Sequence, residues 1–212
     1  MASDPHRDQP VLKAGKKLSE AAGVVVLLHG RGASAQDILG LAQEFDCPDL
    51  AYLAPQAAGH TWYPYSFLAP IQQNEPGLTS ALNKIKTIVE EILEAGIARE
   101  KVIICGFSQG ACLATEFVAR NAGKFGGLIA FSGGLIGPPG THFNYAGRLD
   151  GMPAFFGGSD VDPHVPWQRV QESASALKEL GAEVSLKLYP RMPHTVNPDE
   201  VEEARKLLSR AF

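Results

Sequence analysis

Residues 102–110 read Val-Ile-Ile-Cys-Gly-Phe-Ser-Gln-Gly: an apolar, β-branched run, then a serine set between Gly106 and Gly110. The run Val102 to Cys105 has the composition of a strand buried on both faces. From Gln109 to Asn121 the apolar residues fall three or four apart, the spacing of a helix with one buried face. Strand, tight turn and helix therefore follow without a gap, and Ser108 occupies the turn. Its hydroxyl would stand beyond the strand end, the glycines would let neighbouring chain pass without a Cβ clash, and the helix N-terminus would favour developing negative charge. A bare GxSxG match is weak; the strand before it and the helix after it make Ser108 a candidate nucleophile rather than an ordinary turn serine.

Outward from that turn the same alternation repeats. Val24 to Leu28, Leu50 to Leu53, Gly127 to Phe131, Pro153 to Phe156 and Val184 to Leu188 read as further strands buried on both faces. Helical spacing covers Ala35 to Phe45, Leu78 to Ala95, Trp167 to Leu180 and Asp199 to Ala211. Ser34 can cap one of these helices, and Asn197, Pro198 and Glu200 supply a cap, a first-turn proline and an acidic third position for another. Parallel neighbours need crossovers and helices supply them, so the fold class is α/β, a mostly parallel central sheet with helices on both faces. The 212 residues suit one domain over 21–212 with no large lid domain, preceded by a flexible segment, 1–20, with room for a short edge strand.

Composition narrows the function. A net charge of −4 offers nucleic acid no basic surface. The opening MASDPHRDQP lacks the apolar core of a secretory signal, and no later stretch has the roughly 18 apolar residues of a membrane span, so a cytoplasmic protein without stable membrane insertion is expected. Cys47, Cys105 and Cys112 are odd in number and read as reduced thiols; no cysteine pairs with a histidine at metal-ligand spacing, so no metal and no cofactor is expected.

A serine nucleophile needs a histidine base and a carboxylate that fixes the base's tautomer. GGSDVDPHVP follows Pro153 to Phe156, and YPRMPHTVNP follows Val184 to Leu188, so both groups fall just past strand ends. His194 is the candidate base, with His164 in reserve; Asp160 and Asp162 compete as the acid, and spacing does not choose between them. The oxyanion would meet the amide of Gln109 and one from the early loop His29-Gly30-Arg31-Gly32, with that of Arg31 as the candidate. Two long Gly- and Pro-rich connections, Ala54 to Gly77 and Ser132 to Gly151, complete the chain. The first carries Trp62, Tyr63, Phe67 and Leu68, which either wall a substrate pocket or cover the sheet.

HGRG at 29–32, APQ at 54–56, GFSQG at 106–110, FSGGL at 131–135, DPHVP at 162–166 and the late His194 together resemble the phospholipase/carboxylesterase family, the α/β-hydrolase group that includes acyl-protein thioesterases and small bacterial carboxylesterases. The resemblance implies Ser108 as nucleophile, His194 as base, Asp162 as acid, and the amides of Arg31 and Gln109 as the oxyanion hole. It implies a serine carboxylesterase acting on small-molecule esters and allows a homodimer, while the lack of room for a large lid domain implies an open site that favours short to medium acyl chains. Acyl-protein thioesterase or lysophospholipase activity is the alternative within the family, and an inactive ligand-binding member the alternative outside catalysis. Gly158-Ser159 stands where many members have His-Gly, and Trp62-Tyr63-Pro64 where many have Trp-Phe-Asp.

Overall fold

The computed structural model describes residues 4–212. Its strands are β1 (Val11–Gly15), β2 (Gly23–Leu28), β3 (Leu50–Pro55), β4 (Val102–Phe107), β5 (Gly127–Phe131), β6 (Pro153–Gly158) and β7 (Glu183–Leu188). They form one sheet in the order β1-β3-β2-β4-β5-β6-β7. β1 runs antiparallel to β3 and every other neighbouring pair is parallel. The helices are α1 (Ala35–Ile38), α2 (Gly40–Phe45), α3 (Gly77–Glu94), α4 (Gln109–Arg120), α5 (Trp167–Glu179) and α6 (Pro198–Ala211). None is long and apolar enough to cross a membrane.

Both sheet faces are covered, as runs of apolar residues without alternation require. In β2, Val24, Val26 and Leu28 join one core with α3, α4 and α5, while Val25 and Leu27 join the other with α1, α2 and α6. Each such side chain taken fully from water contributes about 1.5–3 kcal/mol. α4 lies deepest: all its residues but Arg120 are buried. Cys105 and Cys112 are free, buried thiols, and burial pushes Cys112 up to about 12.

Three expectations change. The single helix over 35–45 breaks at Leu39, where Gly40, a weak helix former, begins a second short helix. β7 is not buried on both faces; Glu183, Ser185 and Leu188 are exposed, because β7 is the sheet's outer strand. Within 1–20, where an edge strand was allowed for, β1 forms at the sheet edge, and described residues before it, expected to be flexible, are fixed on α3. There His6 is 1% exposed. Its Nδ1 accepts from the Ala58 amide at 3.0 Å, so its Nε2 donates to the Trp62 carbonyl at 2.9 Å. Lys84 of α3 donates to the carbonyls of Arg7 at 2.9 Å and Gln9 at 2.7 Å.

Candidate active site

Parallel strands place their carboxyl ends on one edge of the sheet, where ligands of such folds bind. β2, β4, β6 and β7 deliver to that edge, respectively, the 29–32 loop, Ser108, the Asp162 loop and the His194 loop. Ser108 has φ 55° and ψ −120°, a conformation rarely adopted by a residue with a Cβ. The surroundings hold it there: its amide donates to the Phe131 carbonyl of β5 at 2.9 Å, and its carbonyl accepts from the Cys112 amide at 3.0 Å. Holding one residue in such a region costs about 1–3 kcal/mol. The turn also requires its glycines. A Cβ at Gly106 would lie 2.4 Å from the Gly110 carbonyl carbon and oxygen, and one at Gly110 would lie 2.0 Å from the Leu28 carbonyl oxygen.

Although Ser108 occupies the N-cap position of α4, its side chain makes no capping bond. It lies instead 2.8 Å from His194 Nε2, and His194 Nδ1 lies 2.6 Å from Asp162 Oδ2. An ionised carboxylate only accepts, so Nδ1 carries the proton and Nε2 is left to accept from the serine. The other Asp162 oxygen accepts from the amides of His164 at 2.8 Å and Val165 at 3.0 Å. Burial pushes the Asp162 carboxyl up, but the His194 bond and these two amides outweigh it and hold it below the ordinary value. The imidazole lies between the Phe107 ring, 4.8 Å away, and the His164 ring, 4.9 Å away.

Asp160 and Asp162 are thereby separated in place. Asp160 Oδ1 accepts from the Arg191 amide at 2.7 Å and ties one loop to the other. His164, the reserve base, meets Asp162 through its backbone and His194 through its ring.

At the oxyanion end, Gln109 is the first residue of α4, so its amide has no acceptor within the helix. Gly30 packs on Ser108: a Cβ there would stand 3.4 Å from Ser108 Cβ. His29 is a buried structural histidine. Its Nε2 accepts from the Ala57 amide at 3.1 Å, which leaves Nδ1 to donate to the Gly30 carbonyl at 2.8 Å. That bond fixes the Gly30–Arg31 peptide plane and with it the direction of the Arg31 amide.

The aromatic loop packs inward. Trp62, Tyr63 and Phe67 are 0%, 1% and 6% exposed and join the core over the sheet; Leu68 of that set is half-buried. Their shielding comes from polar bonds that spacing does not reveal. Gln109 Oε1 accepts from the Trp62 amide at 3.0 Å, Gln109 Nε2 donates to the Tyr63 carbonyl at 2.8 Å, and Trp62 Nε1 donates to the His29 carbonyl at 2.9 Å. The Arg31 side chain is exposed yet tied down. It donates to the Thr61 hydroxyl and the Pro64 carbonyl, both at 2.9 Å, and to the Tyr65 carbonyl at 2.6 Å.

Comparison with known proteins agrees with this architecture. A phospholipase/carboxylesterase from Dyadobacter fermentans has 44% sequence identity and a TM-score of 0.93, covering 99% of this chain and 100% of that one. A carboxylesterase from Bacillus cereus, at 20% identity, shares the fold with a TM-score of 0.76 over 97% of this chain and 96% of its own. Acyl-protein thioesterase 1 of Saccharomyces cerevisiae is 28% identical over 95% of this chain and 98% of its own. The Phospholipase/Carboxylesterase family model matches residues 11–211. With its sheet order, its strand-turn-helix serine and a match along nearly its whole length, the chain belongs to the phospholipase/carboxylesterase family of α/β-hydrolase fold, whose members are hydrolases acting on esters.

Proposed function

We propose that this chain is a serine carboxylesterase hydrolysing short to medium acyl esters of small molecules, with Ser108 as nucleophile, His194 as base and Asp162 as the acid orienting it. The observation that carries this reading is the row of bonds from Asp162 through His194 to Ser108, at 2.6 and 2.8 Å, ending on a serine whose hydroxyl caps nothing. Ser108 Oγ attacks the ester carbonyl as its proton passes to His194 Nε2. The amides of Arg31 and Gln109 receive the oxyanion, each such donor contributing about 3 kcal/mol. Collapse expels the alcohol, which takes the proton from Nε2; water then repeats the sequence and releases the acid. Shorter acyl chains are supported by the site's lying at the sheet edge with no large lid domain among the described residues to enclose a long chain.

The test is hydrolysis of p-nitrophenyl esters from acetate to palmitate by the wild type and Ser108→Ala. The expected loss in the variant is about 10⁴-fold or more with the fold retained; comparable turnover by both would refute the assignment. Thioester cleavage is a second reading, favoured by the end-to-end match to a protein named acyl-protein thioesterase. A thiolate leaves in place of the alcohol, and a matched ester and thioester of one acyl chain decide between the two.

A further inference from the structure

We propose that Glu200 is a positioning residue of the Ser108–His194–Asp162 row, clamping the loop that carries His194 onto the end of the strand that leads to Asp162. This rests on the reading of that row as catalytic.

Glu200 is the third residue of α6 and is 0% exposed. One carboxyl oxygen, Oε2, accepts from the Asn197 amide at 2.9 Å, while Asn197 Oδ1 accepts from the Glu200 amide at 2.9 Å. Asn197 Nδ2 also donates to Met192 Sδ. The segment from Met192 to Asn197, with His194 within it, is thus closed at both ends by a residue that Glu200 holds. The second oxygen, Oε1, has no hydrogen-bond partner. It lies against Gly157 of β6, where a Cβ would come within 2.1 Å of it. Beyond Gly157, β6 ends at Gly158 and the chain runs directly to Asp162. A single buried carboxyl therefore touches the supports of both base and acid.

A solvent-exposed glutamate would serve as an N-terminal cap equally well. Burial here carries a cost with a functional consequence: it lifts this carboxyl to about 7. The titratable groups that act on it are Asp199 of α6, whose charge adds to the lift and which bonds to Lys187 of β7, and the neutral Tyr189, which bonds to Asp199; neither bond reaches Glu200. When neutral, Glu200 fits against Gly157 without a donor. When ionised, it leaves a charge on an unsolvated oxygen, which only water or a shift away from β6 relieves. Ionisation should therefore loosen His194 relative to Asp162.

The experiment measures kcat, KM and the rate at which a fluorophosphonate labels Ser108, for wild type, Glu200→Gln and Glu200→Ala, between about pH 6 and about pH 8.5. Gln keeps the acceptor for Asn197 and cannot ionise, so its kcat relative to wild type should rise at least about threefold across that range, with KM unmoved. Ala should lose about tenfold in kcat, from the displaced imidazole. If Ala does not fold, the Gln ratio alone decides. A Gln ratio that stays constant with pH overturns the proposal. If the wild type cleaves no ester but labelling shows the same rise, the esterase reading falls and the positioning role stands; a wild type that is not labelled at all overturns both.

Discussion

Gly110→Ala tests whether the close approach of α4 to β2 sets the oxyanion site. An added methyl would lie 2.0 Å from the Leu28 carbonyl oxygen and 2.6 Å from that of His29, both backbone atoms. No rotamer relieves such a contact, because the clashing atoms belong to the strand and its exit. A carbon needs about 3 Å from a carbonyl oxygen, so the first turn of α4 must retreat by about 1 Å, in a core where such overpacking costs about 1–3 kcal/mol. Gln109 precedes Gly110, and its amide would move with the turn, while the amide of Arg31 stays with β2. A misplacement of about 1 Å at a reacting centre costs about 100-fold. We therefore expect kcat on a p-nitrophenyl ester to fall about 100-fold, with an unfolding midpoint lowered by the overpacking and a fold intact by circular dichroism. Gly40→Ala, which meets nothing within 4 Å and starts α2, is the control: it should leave kcat unchanged and, as a better helix former, not lower the unfolding midpoint. A Gly110→Ala enzyme with kcat within threefold of wild type would refute the reasoning.

Two further outcomes follow from the same geometry. Asp162→Asn should remove about 10⁴-fold of kcat by favouring the wrong His194 tautomer, whereas Asp160→Asn, which loses a bond to the Arg191 amide, should cost less than about tenfold; equal losses would reverse the two roles. His6 and His29 are both held below the ordinary histidine value by burial, so near pH 6 the unfolded chain binds protons that the folded chain refuses. Stability should thus fall as pH drops below about 6.5, and His6→Gln should flatten part of that fall in urea titrations between pH 5 and 7; an unchanged slope would place the acid sensitivity elsewhere.

The sheet was legible because strands buried on both faces, such as Val24 to Leu28, carry their signal in composition alone. The edge strands were harder. β7, Glu-Val-Ser-Leu-Lys-Leu, alternates strictly, the pattern of a strand with one buried face, and that alternation rather than its apolar content is the signal that matches the structure; β1 has five residues among polar neighbours. The serine turn announced itself through glycines whose reason is local: Gly106 and Gly110 must pass other backbone. Asp162 and Asp160 differ only in which loop partner each meets, and that difference exists only after β6 and β7 pair. The role of the aromatic loop was open for a related reason. Trp62 looks identical in sequence whether it faces substrate or core, and its burial depends on His6, His29 and Gln109, which lie 56, 33 and 47 residues away. Polar side chains bonded to distant carbonyls leave no periodic trace.

The buried thiols flanking the nucleophile bear on how this enzyme meets oxidants. Cys105 lies three residues before Ser108 and Cys112 four after, yet both are sealed in the core as protonated thiols, while Cys47, far from the site along the chain, is the one partly open to solvent. Peroxides and alkylating agents need an accessible sulfur, and although partial burial also pushes the Cys47 thiol up, it is the one they can reach. If Ser108 is the nucleophile as proposed, thiol reagents should label Cys47 and leave ester hydrolysis intact.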